Sequence, residues 1–481
     1  MEKKSLAKNS IFNMAYKGFT ALFPLVTTTY ISRALLPEGV GAVAYANTIA
    51  SYFVLLACLG LPNYGVKVIA QNNGTKRERS RTFYELFFIN LVATAICTAA
   101  YYLFVNTLPH FADRRALFNI MGLLLVLNVF NIDWFYQGVE EYGYIAVRSF
   151  AVKVLSFAAM LLFVHDTGDR LIYALILCIA TAGNNLLNAV NMRKYVSLPE
   201  RGLALGRHMR PVLILLASTI ATEIYTMLDT VMLEYFHGEA YVGYYSNAVK
   251  IVRMTYTVVI AFVAVYYPRV SMHYKQGEQE ECNRLIGQGT QILLVMALPC
   301  AVGLALCAEY IVPLLFKEEF LPAVGTLRIL SVLVLVFSIA YFLGHMILTA
   351  AGKERMILWA TIAGAVVNVI ANFLLIPTWK QDGAAIASVL SEVAVTGILL
   401  WCSKGDYRLK IPGHYMWTLA LSLALMAGAV VGMKALLGTR PVMVLPMMAV
   451  AAVVYFGGLA VMRNEVAEEM KGKILYFFTK K

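Results

Sequence analysis

Two cations sit where a membrane helix tolerates few. Lys250 and Arg253 lie ten and thirteen residues into the apolar segment 240–268, near the middle of a stretch long enough to cross a bilayer. A charge there costs about 2.5–3.5 kcal/mol on insertion scales, so it needs a partner or a task. Their spacing puts both on one helix face, with Asn247 and Thr257 alongside. One account is a cationic site in a water-filled cavity that takes an anionic group. The other is an ion pair with Glu223 or Asp229 of the preceding segment, acids that could equally hold a coupling cation.

Further polar residues recur at spacings of three and four inside apolar segments. Segment 10–33 carries Asn13, Lys17, Thr20 and Thr27. Segment 170–192 carries Thr181, Asn184, Asn188 and Asn191, and segment 210–236 carries Ser218, Thr222, Thr226 and Asp229. Facing lipid would leave these groups unsatisfied, so the stripes are expected to turn toward each other or toward water. Asn13, Asn247, Thr222, Asn184 and Asn188 are the expected polar lining. Lys17 either joins the cavity or snorkels to headgroups, and so does Arg33 at the far end of the same segment. Arg148 and Lys153, at the start of 143–164, either meet an anionic ligand on the cytoplasmic side or pair with Asp133, Glu140 or Glu141. His345 reads as a packing residue.

The elements that must position these side chains are helices. Of 481 residues 60% are hydrophobic and 14% charged, against about a quarter charged in a soluble domain. The excess falls in blocks of roughly 20 residues, the length of a membrane-spanning helix. In lipid the backbone must bond within its own segment. Spans are expected at 10–33, 40–61, 83–105, 115–137, 143–164, 170–192, 210–236, 240–268, 287–308, 323–350, 355–376, 383–402, 415–437 and 441–462. Basic residues such as Lys76, Arg77, Arg79 and Arg81 gather in alternate loops, which puts both termini in the cytoplasm. The N-terminal block lacks a small-residue cleavage site and reads as a retained first helix. The tail AEEMKGKILYFFTKK reads as an amphipathic segment on the inner leaflet.

The net charge of +12 suits anionic lipid surfaces or a basic interior, and the positive-inside role explains NGTKRERSR without nucleic acid. Seven scattered cysteines with no CxxC or Cys/His cluster give neither a metal site nor a disulfide framework. No P-loop, nucleophile elbow or HExxH is present, and no external loop is large enough to hold an active site. Val40-Gly41 and Val242-Gly243 open their helices alike, and Ala46/Ala248, Ile49/Ile251 and Lys67/Arg269 follow at the same offset. This hints at a parallel duplication, of the kind that frames a transport site at its interface.

The runs LGLPNYGVKVIA, IDWFYQGVEEYGYIAVRSFAVKVLSF, VGYYSNAVKIVRM and NVIANFLLIPTWKQDGAAIASVLSE, in this order over nearly the whole chain, resemble the Wzx-type repeat-unit flippases of the multidrug/oligosaccharidyl-lipid/polysaccharide superfamily. The resemblance implies an all-α membrane protein of about fourteen helices working by alternating access. It implies a lobe at 1–200, a second at 201–410, and two further helices with a cytoplasmic tail at 411–481. It implies a lipid-linked oligosaccharide, carried on undecaprenyl diphosphate from the inner to the outer leaflet of a bacterial cytoplasmic membrane, for capsule, exopolysaccharide or O-antigen assembly. Membrane lipids, a glycan polymerase and chain-length machinery are the implied partners. No cofactor is expected, and sodium or proton coupling is left open. Multidrug exporters of the superfamily tend to use an acid in the first helix, where this chain has Lys17. The rivals are an ion-coupled exporter of a small solute and a membrane glycan polymerase or ligase.

Overall fold

The computed structural model describes residues 6–72, 74–197, 202–407, 411–438 and 440–464; the side chains of residues 6–22, 218, 221, 222, 224–226 and 437 fall outside that description, as do the termini. The expected amphipathic tail therefore lies outside the described residues. These form helices and no strand. The chain divides into two compact units, Met1–Gly243 and Tyr244–Lys481.

The first unit holds α1 (Leu6–Cys58), α2 (Leu61–Gln71), α3 (Lys76–Thr107), α4 (Pro109–Gly138), α5 (Tyr142–Phe163), α6 (Arg170–Asn191) and α7 (Gly206–His237). α8 (Glu239–Ala264) begins there and runs into the second unit. The second unit continues with α9 (Tyr267–Gln276), α10 (Gln279–Phe316), α11 (Ala323–Leu348), α12 (Glu354–Cys402), α13 (Gly413–Leu437) and α14 (Val444–Val461). Eleven stretches are long and apolar enough to cross a membrane. Two of them kink into two arms, at Leu36 in α1 and Lys380 in α12. Counting each kinked helix as two arms and adding α7, which is not among the eleven, gives fourteen helical segments among the described residues, in line with the expected number.

Turn chemistry explains the kinks. Leu36 has φ 58° and ψ 176°, just before Pro37, whose missing N–H and fixed φ suit the first turn of the next arm. A left-handed leucine costs about 1–3 kcal/mol, so packing must hold it. Gly238 takes φ 88° and ψ −177° before α8, and it stands to Val242-Gly243 as Leu36 stands to Val40-Gly41. The suspected duplication is thus echoed in the backbone, and the two glycines meet. A β-carbon on Gly41 would lie 1.7 Å from the Glu239 carbonyl oxygen, and one on Gly243 would lie 2.2 Å from that of Pro37.

α3 is capped by Thr75, whose hydroxyl accepts from the Glu78 N–H at 3.2 Å; such a cap is worth about 1 kcal/mol. α2 seats Gly65 against the Trp134 ring, within a core of Ile69, Phe83, Leu86, Trp134, Phe135 and Tyr136. The span expected at 115–137 is not continuous. It breaks after Asn128 and restarts at Asp133, and the Asn90 amide donates to the freed carbonyls of Asn128 and Val129 at 3.1 and 3.0 Å. A broken helix survives at membrane depth when protein donors re-satisfy it in this way.

In the second unit, tyrosine hydroxyls do similar work. Tyr415 of α13 and Tyr455 of α14 donate to the Gln291 and Val295 carbonyls of α10 at 2.6 and 3.0 Å. The arms of α12 close on Gly364, whose carbonyl accepts from Ser391 at 2.7 Å. The GxxxG of α13 is not a packing face: Gly428 and Gly432 look into open space, and Gly458 of α14 approaches Ser422 instead. Large apolar side chains such as Trp417, Leu436 and Val461 are exposed, which suits a surface solvated by lipid tails.

Candidate functional site

The expected cations of the first unit are held in different ways. Arg148, 4% exposed, donates to both Asp133 oxygens at 2.9 and 3.0 Å and to the Asn188 side-chain oxygen. Asn188 donates to Asp133 at 2.7 Å, and its carbonyl accepts from Tyr136 at 2.9 Å. Asp133 opens a short helix, where the dipole favours a negative charge. Of the partners weighed for Arg148, the structure selects Asp133, with Asn188 closing the triangle. The Arg148 Nε alone lacks an acceptor among the described residues.

One turn from Asn188, Asn184 is buried and its side-chain oxygen has no donor among the described residues. Asn185 donates to the Leu127 carbonyl at 3.1 Å, beside the break in α4. Lys153 is half-buried, its ammonium 5.9 Å from the centre of the Phe23 ring. Arg33 is exposed. Asp229 is buried within electrostatic reach of Tyr52, and Glu223 is half-buried; both are engaged by neighbours. The side chains of Asn13, Lys17 and Thr222 lie outside the described ones.

In the second unit, α8 presents Asn247 buried, Lys250 half-buried and Arg253 exposed. Among the described residues neither cation of the pair has a carboxylate partner within that unit. Arg253 lies within electrostatic reach of the Tyr256 hydroxyl, and the Tyr256 ring stacks on Phe337 of α11 with centroids 4.3 Å apart. Tyr245 and Ser388 share a hydrogen bond of 2.9 Å, which ties α8 to the second arm of α12. That arm carries Glu392, 7% exposed, within electrostatic reach of Tyr256. The end of α11 winds wider, over Phe342–Leu348, a distortion frequent at functional sites. There His345 is exposed between buried neighbours, its ring 4.4 Å from that of Tyr341. Chemically the face offers two cations, phenols, amides and a carboxylate, which suits an anionic group bearing hydroxyls.

Sequence reasoning missed Glu392 and Tyr256. The signal for Glu392 was present, as the single acid in GAAIASVLSEVAVTGILL. It also missed two closed clusters in the first unit. Glu85, fully buried, accepts from Arg207, from His208 at 2.9 Å and from the Ala204 N–H at 2.8 Å. Glu234 accepts from Arg114 at 2.8 Å and meets His110 at 3.2 Å, while Arg114 also donates to Glu239 at 2.6 Å.

Residues 6–273 match the family profile described as polysaccharide biosynthesis protein, and residues 215–374 match the MatE profile. A putative O-antigen transporter of Escherichia coli K12 is 23% identical over 83% of this chain and 96% of its own length. A probable low-salt glycan biosynthesis flippase of Haloferax volcanii is 25% identical over 46% of this chain and 47% of its own. The fold matches that of a lipid II flippase in an inward closed conformation, with TM-score 0.79, 12% identity, and 96% of this chain and 99% of the other covered.

Proposed function

Since the chain belongs to the polysaccharide biosynthesis protein family, we propose that it is a flippase that moves a lipid-linked oligosaccharide between the leaflets of a bacterial cytoplasmic membrane by alternating access. The observation that carries this reading is the pair Lys250 and Arg253. Both lie on one face of an apolar helix, and neither has a carboxylate partner in its unit among the described residues. A cation kept at such depth repays its cost when an anionic cargo meets it. The diphosphate of an undecaprenyl carrier is that cargo: its oxygens take charge-assisted hydrogen bonds, while hydroxyls and amides meet the sugar. Lys153, Lys17 and Arg33 supply further cationic stations along the route. The polyprenyl tail stays in lipid, so only the headgroup exchanges water for fixed donors.

The chain works as a transporter rather than an enzyme. Both termini lie in the cytoplasm, and a glycan polymerase with its chain-length machinery takes up the product outside. A cation gradient resets the empty carrier, with Asp229 and Glu223 as the acids first considered for that ion. The MatE match favours a second reading, an exporter of small soluble ions. Purified protein in vesicles separates the two. A fluorescent lipid-linked oligosaccharide should change leaflets at a rate proportional to protein added, while soluble organic ions stay put. The reverse result overturns the flippase reading.

A further inference from the structure

We propose that Glu392 is the residue that takes up and releases a proton during the transport cycle, an inference that rests on the flippase reading. Glu392 sits about 18 Å along the second arm of α12 from the kink at Lys380 and about 15 Å from its other end, at 1.5 Å per residue, so it lies near the middle of a membrane span. It is 7% exposed. Asp133, Glu85 and Glu234 each hold a cation, and Asp382 accepts from the Thr326 hydroxyl at 2.6 Å. Asp229 and Glu223 are engaged. Among the described residues Glu392 has neither an ion-pair partner nor a donor to its carboxylate.

A carboxylate in that position must gain a cation or a proton, because an isolated charge away from water is among the costliest groups to bury. A metal ion needs several oxygen ligands at once. Here no three His, Cys, Asp or Glu side chains gather among the described residues. A proton needs one carboxylate oxygen. The charged and titratable groups around the site are few. From α8 come Tyr256, within electrostatic reach of both Glu392 and Arg253, and Lys250, a turn from Arg253. α11 carries Arg328, committed to Glu309, and Tyr341 and His345, their rings 4.4 Å apart. The packed first arm of α12 carries Glu354 and Arg355 at its start and Lys380 at the kink.

The consequence is a competition for the same cations. With its proton bound, Glu392 is a neutral acid and leaves Arg253 and Lys250 to the diphosphate. When the proton departs, the carboxylate competes with the diphosphate for Arg253 and weakens the hold on the cargo. One proton enters the carboxylate and one leaves it per cycle, and no bond other than O–H is made or broken.

The test uses the full chain in vesicles with a fluorescent lipid-linked oligosaccharide, and separately in detergent by infrared spectroscopy. In the wild type an imposed pH gradient should accelerate flipping severalfold. In Glu392→Gln that acceleration should vanish, and whatever flipping remains should be equal with and without the gradient; Glu392→Asp should restore a response with a shifted midpoint. The infrared C=O band of a protonated carboxyl group should be present in the wild type and missing in Glu392→Gln, a readout that needs no transport. An unaltered pH response in Glu392→Gln, a wild type driven by sodium but not by protons, or an unaltered carboxyl band each overturns the proposal. A wild type that flips nothing sinks the flippase reading instead, and the band then decides Glu392 alone. If Glu392→Gln fails to fold, the pH response of Glu392→Asp decides: a response identical to the wild type in rate and midpoint counts against the proposal, and a shifted midpoint supports it.

Discussion

In the first unit Arg148 is held by Asp133 and Asn188, Glu85 by Arg207, His208 and a backbone N–H, and Glu234 by Arg114 and His110. In the second, the ion pairs among the described residues involve Glu309, Asp406, Glu278 and Glu281, whose partners lie toward helix ends and loops, while Lys250, Arg253 and Glu392 are left without counter-charges. The contrast separates two uses of buried charge. A closed set fixes one arrangement of helices, because removing any member strands another. An open cation stays available to a ligand, and the fold carries its desolvation cost until the ligand arrives.

If the contrast is sound, changing the open cations should remove function and spare the fold. Lys250→Ala with Arg253→Ala is expected to abolish flipping of the lipid-linked glycan while membrane abundance stays normal. Each single change should slow it about tenfold or more, since a hydrogen bond to a charged group is worth about 1.5–3 kcal/mol. Normal polymer output from the double variant would erase the distinction between the two units. Loss of the protein from the membrane would reassign these cations to structure.

Arg148→Ala should do the opposite. It leaves Asp133 with the Asn188 amide alone and the Asn188 oxygen without its donor, at an expected cost of about 3 kcal/mol, the low end for breaking a buried pair because Asp133 is partly exposed. Thermal unfolding in detergent should show a lowered transition. A partial recovery in Arg148→Met with Asp133→Asn would confirm that the stranded charge is the cause. A fully stable Arg148→Ala that no longer flips would move Arg148 into the transport site and blur the comparison.

The smallest effect sharpens it. Lys434 meets Glu309 at 2.7 Å, but that carboxylate is 41% exposed and shared with Arg328. Lys434→Met should change stability by no more than about 1 kcal/mol, as for surface pairs generally, and should leave flipping untouched. A large loss would mean that charges at the helix ends of the second unit are as structural as those buried in the first.

Some of this was open to view in the chain itself. Helix is the one regular structure that lets a single apolar segment satisfy its own backbone in lipid, so counting apolar blocks amounts to counting spans. Lys250 and Arg253 stood out because charge is rare at that depth, and their shared face follows from helical geometry alone. The paired glycines at 41 and 243 were legible as a repeat. Their contact was not, since it depends on two chain segments meeting after the bends at Leu36 and Gly238. For the same reason the choice among Asp133, Glu140 and Glu141 as the partner of Arg148 was out of reach. The three lie fifteen, eight and seven residues away along the chain, and the break in α4 brings the most distant of them to the guanidinium. Composition and periodicity determined that the chain enters the membrane and which residues are costly there. The tertiary structure decided which of those costs are cancelled by a neighbour and which remain open, because a charge is paired or free according to what lies within about 4 Å of it in space, and sequence order does not encode that distance.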